Sequence, residues 1–416
     1  MGNYMENVST ILPMGKLKRL KNTTWARSLS SFLFILSLSF SLKAQDYTGE
    51  GVKIAIFDAG FLGADKFDWY KKLEQEGRIL GTYNLVNEDG IFSSSNHGTS
   101  VLSIIAGDGN QLQGSAPKAS FYLFITEDVS RESIEEEYTW GRAMEMADSL
   151  GVEIINSSLS YTEFDNSAEN HKREELDGRT APITNFALQA ARKGMLVVCS
   201  AGNYANDPWG KIGFPADADS IISVGAIDKD GRIGDFSSYG PTADGRIKPE
   251  LVELGVSNLY YDEKGLRTGN GTSFSAPVIT GFVAKLKQAF PEASAQEIRR
   301  AAIQSANMFD SPNSLYGYGV PNLKKGLNLL KVKEGGQLFL LVPNPVDAGE
   351  VLRVVSDIPQ ADEIIVLDAL GRVVKRSGVE AEGAFRLPAN LNPGHYFVHL
   401  QETGTRLASL RLQIRN

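Results

Sequence analysis

From residue 52 onward, short apolar runs alternate with longer stretches whose apolar positions recur every three or four residues. Residues 52–57, 121–125, 152–155, 195–199 and 221–224 are nearly continuous apolar runs. That is the pattern of strands buried on both faces. Between them, 98–106 carries Val101, Leu102, Ile104 and Ile105 at helical spacing. Residues 133–150 open with a capping box, Ser133 with Glu136, and stop at Gly151. A helix over 183–193 stops at Gly194, and one over 294–306 opens with a Ser294/Glu297 box. Alternation of this kind predicts an α/β domain over 45–330, a mostly parallel central sheet sandwiched by helices.

After residue 330 the pattern changes. Short β-type runs at 338–342, 351–355, 363–367, 396–400 and 410–414 are punctuated by Pro343-Asn-Pro345, Leu370-Gly371 and Asn392-Pro-Gly394. They predict a small all-β sandwich over 337–416, reached through a linker at 331–336. At the other end, residues 1–44 read as a targeting segment. A basic stretch (Lys16, Lys18, Arg19, Lys21, Arg27) precedes a 14-residue apolar run, 29–42, and Ala44. This is a secretory signal peptide, and the run is shorter than the ~20 residues of a stable membrane span.

Composition narrows the class. The chain has 416 residues, 42% hydrophobic and 22% charged, which excludes coiled coil and wholesale disorder. One Cys excludes an internal disulfide and a Cys-based zinc site. Net charge is −8, and residues 1–44 hold six Lys/Arg against one Glu, so their removal takes it to −13. An acidic chain of this kind is not read as a nucleic-acid binder. An exported, acidic, disulfide-free product suggests a bacterial envelope or extracellular protein.

The chemistry concentrates at four positions. Asp58 ends the first apolar run, where open α/β sheets bind ligands; it also reads as a strand-end residue bonded to loop N–H groups. Gly60 and Gly63 after that strand give a third reading, a dinucleotide loop and hence an oxidoreductase, but G-x-G-x-x-G is incomplete. His97, followed by Gly98-Thr99, opens an apolar helix, whereas His171 falls in a polar loop-like stretch, 161–180, and His395 and His399 fall in the β region as surface or packing residues. Ser273 lies in Thr268-Gly-Asn-Gly-Thr-Ser-Phe-Ser-Ala-Pro277, at the positive end of a buried helix. An N-cap role explains Ser273 but not Gly269, Gly271 and Ala276 together. Pro277 is read as a first-turn proline with no N–H to lose. Asn203 closes a further buried run and can donate to a developing oxyanion. Cys199 reads as a small buried packing residue.

The order Asp58, His97, Asn203, Ser273, with Ile56-Phe-Asp-Ala-Gly60, Asn96-His-Gly-Thr99, Asn156-Ser-Ser-Leu-Ser160, Ser200-Ala-Gly-Asn203 and Gly271-Thr-Ser-Phe-Ser-Ala-Pro277, resembles the subtilisin-like serine proteases over about 50–328. The resemblance implies a subtilisin-like three-layer sandwich and a secreted endopeptidase acting on proteins or peptides through an acyl-enzyme. Ser273 would be the nucleophile, His97 the base, Asp58 its support, and Asn203 the oxyanion donor. Ser158, Leu159 and Ser160 would pair with the substrate, and with Ala201 and Gly202 line the pocket for the residue before the cut bond. Small residues there suggest an open pocket, although Ser160 stands where Gly is common. No cofactor is required for this chemistry. A structural calcium ion is compatible, with carbonyls around 216–221, Asp217 and Asp219 as candidate ligands. Residues 337–416 resemble the type A C-terminal sorting domain of the type IX secretion system, which implies that machinery as a partner and release or attachment at a Gram-negative cell surface. An accessory binding sandwich is the alternative there. Only 45–50 separate the signal segment from the first strand, too few for the folding-assistant propeptide many subtilases carry, so the enzyme either folds without one or the assistant is elsewhere. That departure and the 161–180 insertion motivate a second functional reading, a catalytically silent surface binding or adhesion protein on the same scaffold.

Overall fold

The computed structural model describes residues 47–416 except 110, 335–338, 343–345, 357–362, 379–383, 403–404 and 416. The expected signal peptide lies outside the described residues, as does the Pro343-Asn-Pro345 motif.

Seven strands form one all-parallel sheet: β1 (Lys53–Asp58), β2 (Ile79–Asn84), β3 (Ser120–Ile125), β4 (Ile154–Ser157), β5 (Leu196–Ser200), β6 (Ile222–Ile227) and β7 (Leu251–Leu254). The order is β2-β3-β1-β4-β5-β6-β7. Winding reaches β3 on one side of β1 and then crosses to β4 on the other. A reversal of this kind leaves a crevice outside the carboxyl ends of the strands. Asp58 sits at that end of β1.

Helices cover both faces: α1 (Asp68–Gln75), α2 (His97–Ala106), α3 (Glu135–Ser149), α4 (Pro182–Arg192), α5 (Thr272–Ala289), α6 (Ala295–Ser305) and α7 (Leu323–Glu334). The two-residue period of β1 sorts its side chains. Ile54 and Ile56 join a core with Val101 and Leu102 of α2 and Ile279 and Val283 of α5. Ala55 and Phe57 join the opposite core with Trp140 and Met144 of α3 and Ile183 and Ala187 of α4. Trp140 packs edge-on to Phe57 at 5.2 Å and donates its indole N–H to Ser157 Oγ at 3.0 Å. Each fully buried aliphatic or aromatic side chain contributes about 1.5–3 kcal/mol.

Several local expectations are modified. The Ser294/Glu297 box forms at α6. At α3 only half of the expected box exists: Glu136 accepts the Ser133 N–H at 3.2 Å, while Ser133 Oγ is buried without a partner. α7 runs to Glu334, so four of the six expected linker residues are helical; its apolar Leu327 and Leu330 pack onto the core and hold the helix in place. A hairpin not anticipated from sequence, β8 (Asn258–Asp262) and β9 (Gly265–Gly269), lies before α5 and stacks Tyr260 on Phe274 at 4.5 Å.

The C-terminal region is a separate, small antiparallel all-β unit. β10 (Phe339–Val342), β11 (Val351–Ser356) and β14 (Ala384–Arg386) form one sheet; β12 (Glu363–Leu367), β13 (Val373–Gly378), β15 (Gly394–Glu402) and β16 (Thr405–Ile414) form the other. Leu352 and Phe385 of the first sheet share one core with Ile364, Val366, Val398 and Leu412 of the second. His395 and His399 lie in β15. Among the described residues, no helix is long and apolar enough to cross a membrane.

Candidate active site

Asp58 is fully buried at the end of β1. Its Oδ1 accepts the Ala59 N–H at 2.8 Å and meets His97 Nδ1 at 2.8 Å. Its Oδ2 is buried with no partner. His97 reaches Asp58 because the first turn of α2 rides directly on the loop after β1. Gly98 donates its N–H to Gly60 O at 2.9 Å, and a Cβ on Gly98 would stand 2.5 Å from that oxygen. Gly60 has φ +149° and no room for a Cβ against Ser93 O, which would lie 2.5 Å away. Glycine at both positions is therefore a condition of the Asp58–His97 contact. Burial disfavours the imidazolium, but the Asp58 charge and hydrogen bond outweigh it and hold the His97 pKa above its ordinary value. The ring remains about one-third exposed, with side-chain exposure of 32%.

Ser273 is the second residue of α5, within the first turn, whose N–H groups have no intrahelical partner. The next residue, Phe274, stacks against His97 with ring centroids 6.4 Å apart, so α5 and α2 bring Ser273 and His97 to the same crevice. Pro277 is not in the first turn, as its sequence context suggests; it is the sixth residue of α5. Its missing N–H frees the carbonyl of Ser273, four residues earlier. Ser158 Oγ donates to that carbonyl at 3.0 Å, and Ser273 Oγ donates to the Ser158 carbonyl at 3.1 Å. Ser158 is held in turn by Asn156 Nδ2 at 3.1 Å, and Asn156 Oδ1 accepts from Thr280 of α5 at 2.7 Å. The proline thus locks the serine to the segment after β4.

Asn203 follows β5. Its Oδ1 accepts both the N–H of Thr272 at 2.9 Å and the Thr272 hydroxyl at 3.0 Å. Of the two amide atoms only the oxygen accepts an N–H, so this fixes the amide orientation and leaves Nδ2 as a donor turned away from Thr272. Thr272, one residue before Ser273, was not singled out in the sequence. Its threonine hydroxyl beside the Ser273 motif was the available signal.

The segments after β4 and β5 run side by side. Ser200 Oγ donates to Leu159 O at 3.1 Å, Gly213 donates to Ala201 O at 3.0 Å, and Tyr161 exchanges two backbone bonds with Phe214 at 3.0 and 3.1 Å. Ala201 and Gly202 are buried in this seam. Ser160 Oγ lies against Gly202 and Gly213, as does the ring of Tyr204.

Acidic groups beneath the 161–180 stretch also escaped the sequence reading. His171 is not in a solvated loop; its side chain is 6% exposed and bridges Glu137 at 2.5 Å and Glu175 at 3.1 Å. Burial lowers its pKa, but the two carboxylates outweigh this and raise it. Glu127, two residues past β3, accepts from Tyr161 OH at 2.6 Å and Thr126 Oγ1 at 2.8 Å. Burial and the neighbouring Glu136 charge push its carboxyl up to about 8. Burial pushes Glu136 itself to about 7. Cys199 is buried and free, as expected.

In the 216–221 segment side-chain cations already occupy four backbone carbonyls. Asp217 O accepts from Arg246 at 2.6 Å and Ala218 O from Lys248 at 2.5 Å. Arg299 takes Asp219 O at 2.7 Å and Ile221 O at 2.6 Å. The Asp217 carboxylate is spent on Gly178 N–H and Thr184 Oγ1 at 2.8 and 2.6 Å. Of the candidate ligands the exposed Asp219 carboxylate remains, far short of the six to eight oxygens a calcium ion takes.

Comparison with known proteins agrees with the fold. Subtilisin-like protease SBT6.1 of Arabidopsis thaliana is 28% identical over 330 residues, 74% of this chain but 29% of the plant protein. Serine protease AprX of Bacillus subtilis is 26% identical over 68% of this chain and 67% of its own length. Subtilisin DY of Bacillus licheniformis is 28% identical over 68% of this chain and 93% of its own. The chain thus spans less than a third of the plant relative and most of the last. The solved structure of the patellamide maturation protease PatA superposes with a TM-score of 0.52 at 25% identity, covering 68% of this chain and 98% of that one. Residues 49–319, well over half of the sequence, match the Peptidase S8 subtilase family, and the chain belongs to that family of serine proteases.

Proposed function

We propose that this chain is a secreted serine endopeptidase in which Ser273, His97 and Asp58 act together on peptide bonds. The observation that carries the reading is the 2.8 Å Asp58–His97 contact at the crevice that also holds Ser273. Ser273 Oγ leaves the Ser158 carbonyl and attacks the scissile carbon while His97 Nε2 takes its proton. The carbonyl electrons move to oxygen, which accepts from Asn203 Nδ2 and the Ser273 N–H. Asp58 stabilises the imidazolium through Nδ1. Collapse breaks the C–N bond, and His97 hands its proton to the departing amine. Water then repeats the sequence on the acyl-enzyme, releasing Ser273. The Ser158 carbonyl, vacated by Ser273, is free to accept the N–H of the acyl residue. No bound metal or cofactor is part of these steps.

The sequence motifs of 337–416 and the antiparallel all-β unit there support export through the type IX machinery to the cell surface or medium of a Gram-negative bacterium, after removal of the signal peptide. Deleting 337–416 is expected to leave the protein in the periplasm, measured by cell fractionation.

The mature wild type is expected to hydrolyse casein, and a fluorophosphonate is expected to label Ser273. Ser273→Ala, with an unchanged melting curve, is expected to lower kcat by at least about 10³-fold. Equal behaviour of the two proteins with no label on Ser273 would instead support the silent adhesion scaffold.

A further inference from the structure

Resting on the proteolytic reading above, we propose that Ser160 and Tyr204 plug the pocket beside Ser273, restricting cleavage to bonds that follow glycine or alanine. An acyl residue is held at its carbonyl by Ser273 and Asn203 and at its N–H by the Ser158 carbonyl. Its Cα then lies over the seam between the segments after β4 and β5, and its side chain enters there. In this chain Ser160 and Tyr204 stand in that seam.

Ser160 Oγ is sealed from solvent and has no hydrogen-bond partner. It sits against Gly213, where it would collide with any Cβ, and 3.0 Å from the position of a Cβ on Gly202. The Tyr204 ring lies 2.8 Å from that same Gly202 position and 3.1 Å from the Gly213 one. Side-chain atoms of Ser160 and Tyr204 therefore lie against both Gly202 and Gly213. The ring cannot swing away freely. Its hydroxyl donates to Ser160 O at 2.9 Å, and the Tyr204 backbone N–H donates to Ser238 Oγ at 2.9 Å. Burial raises the phenol pKa, so the hydroxyl stays protonated as a donor. An orphaned buried hydroxyl is costly, by about 1–3 kcal/mol.

The test is a set of tetrapeptide amides varied only at the residue before the cut bond, run beside a small fluorophosphonate that has no group for this pocket. Wild type is expected to prefer Gly or Ala over Leu or Phe by at least about tenfold in kcat/KM, the range a pocket misfit of a methylene or more commands. Ser160→Gly is expected to narrow that ratio, and Ser160→Gly/Tyr204→Ala to invert it toward Phe. Tyr204→Phe removes only the hydroxyl and is expected to give an intermediate ratio. Circular-dichroism melts identify variants that fail to fold, and the wild-type ratio decides the matter without them. Labelled Ser273 with a preference for Leu or Phe overturns the plugged pocket alone. An unlabelled Ser273 overturns the proteolytic reading and this one with it.

Discussion

Replacing Thr272 with Val tests whether the crevice is built to aim Asn203. The substitution keeps the volume and the backbone N–H and removes one buried oxygen. That oxygen donates to Asn203 Oδ1 at 3.0 Å and accepts the Gly202 N–H at 3.2 Å. Thr272 is fully buried, so water replaces neither bond. Losing one neutral hydrogen bond costs about 1 kcal/mol and orphaning a buried N–H about 1–3. For a domain of this size the melting temperature is expected to drop by roughly 4–16 °C, at 2–4 °C per kcal/mol. The kinetic effect has a different source. Asn203 keeps its bond to the Thr272 N–H but loses the second restraint on its amide plane. Removing an oxyanion donor outright costs about 10²–10³ in kcat; that range was measured on subtilisin's own asparagine and is not an independent estimate. Partial misaiming is expected to cost about tenfold in kcat with KM little changed. The assay is a cycle of steady-state kinetics on Thr272→Val, Asn203→Ala and the double variant with a peptide amide. If Thr272 acts through Asn203, the double variant equals Asn203→Ala alone. Losses that multiply in the double variant, or a Thr272→Val enzyme with full kcat and a lowered melting point, would refute the positioning argument and leave Thr272 a structural residue.

Other outcomes follow from the same geometry. His97 must be neutral to accept a proton and its pKa is raised, so kcat/KM is expected to fall with decreasing pH through a value above the ordinary 6.5. In Asp58→Asn the residual activity is expected to show that limb shifted downward, since burial is then the main remaining influence. Glu127 binds its proton more tightly folded than unfolded, so stability is expected to fall as pH rises from about 4.5 to about 8. Glu127→Gln keeps an acceptor for Tyr161 and is expected to flatten that dependence, gaining roughly 1–3 kcal/mol at pH 7 in urea titrations after allowing for partial solvent screening. Arg299→Met strips the guanidinium from Asp219 O, Ile221 O and the Glu250 carboxylate, and is expected to lower stability by about 2–4 kcal/mol. Adding millimolar calcium is expected not to restore it, if cations of the chain itself fill that segment.

The strands at the heart of the sheet were readable because both of their faces are buried. Residues 52–57 and 195–199 need almost no polar face and appear as nearly continuous apolar runs. The edges were not readable. β2, at one end of the sheet, alternates half-buried and exposed positions through Gly81, Thr82 and Asn84, and β7 at the other end has only two buried residues. A half-solvated edge carries little hydrophobic signal. The His171 stretch failed for a different reason. Its polar residues look solvated in sequence, yet they satisfy one another: His171, Glu137, Glu175, Tyr161 and Glu127 form bonds between residues up to 34 positions apart.

The sequence by itself determined which groups could do chemistry. An acid at a strand end, an imidazole at a helix start and a serine beside glycines are local signatures, fixed by residue type and by the turns that present them. What the tertiary structure decided is how those groups are held and what space remains between them. Whether Pro277 frees a carbonyl depends on where α5 begins, whether Asn203 has an open donor depends on Thr272, and whether the seam is open depends on where Ser160 and Tyr204 point. These are contacts between segments remote in the chain. Close packing sets them to within a fraction of an ångström, a precision that residue type alone does not carry.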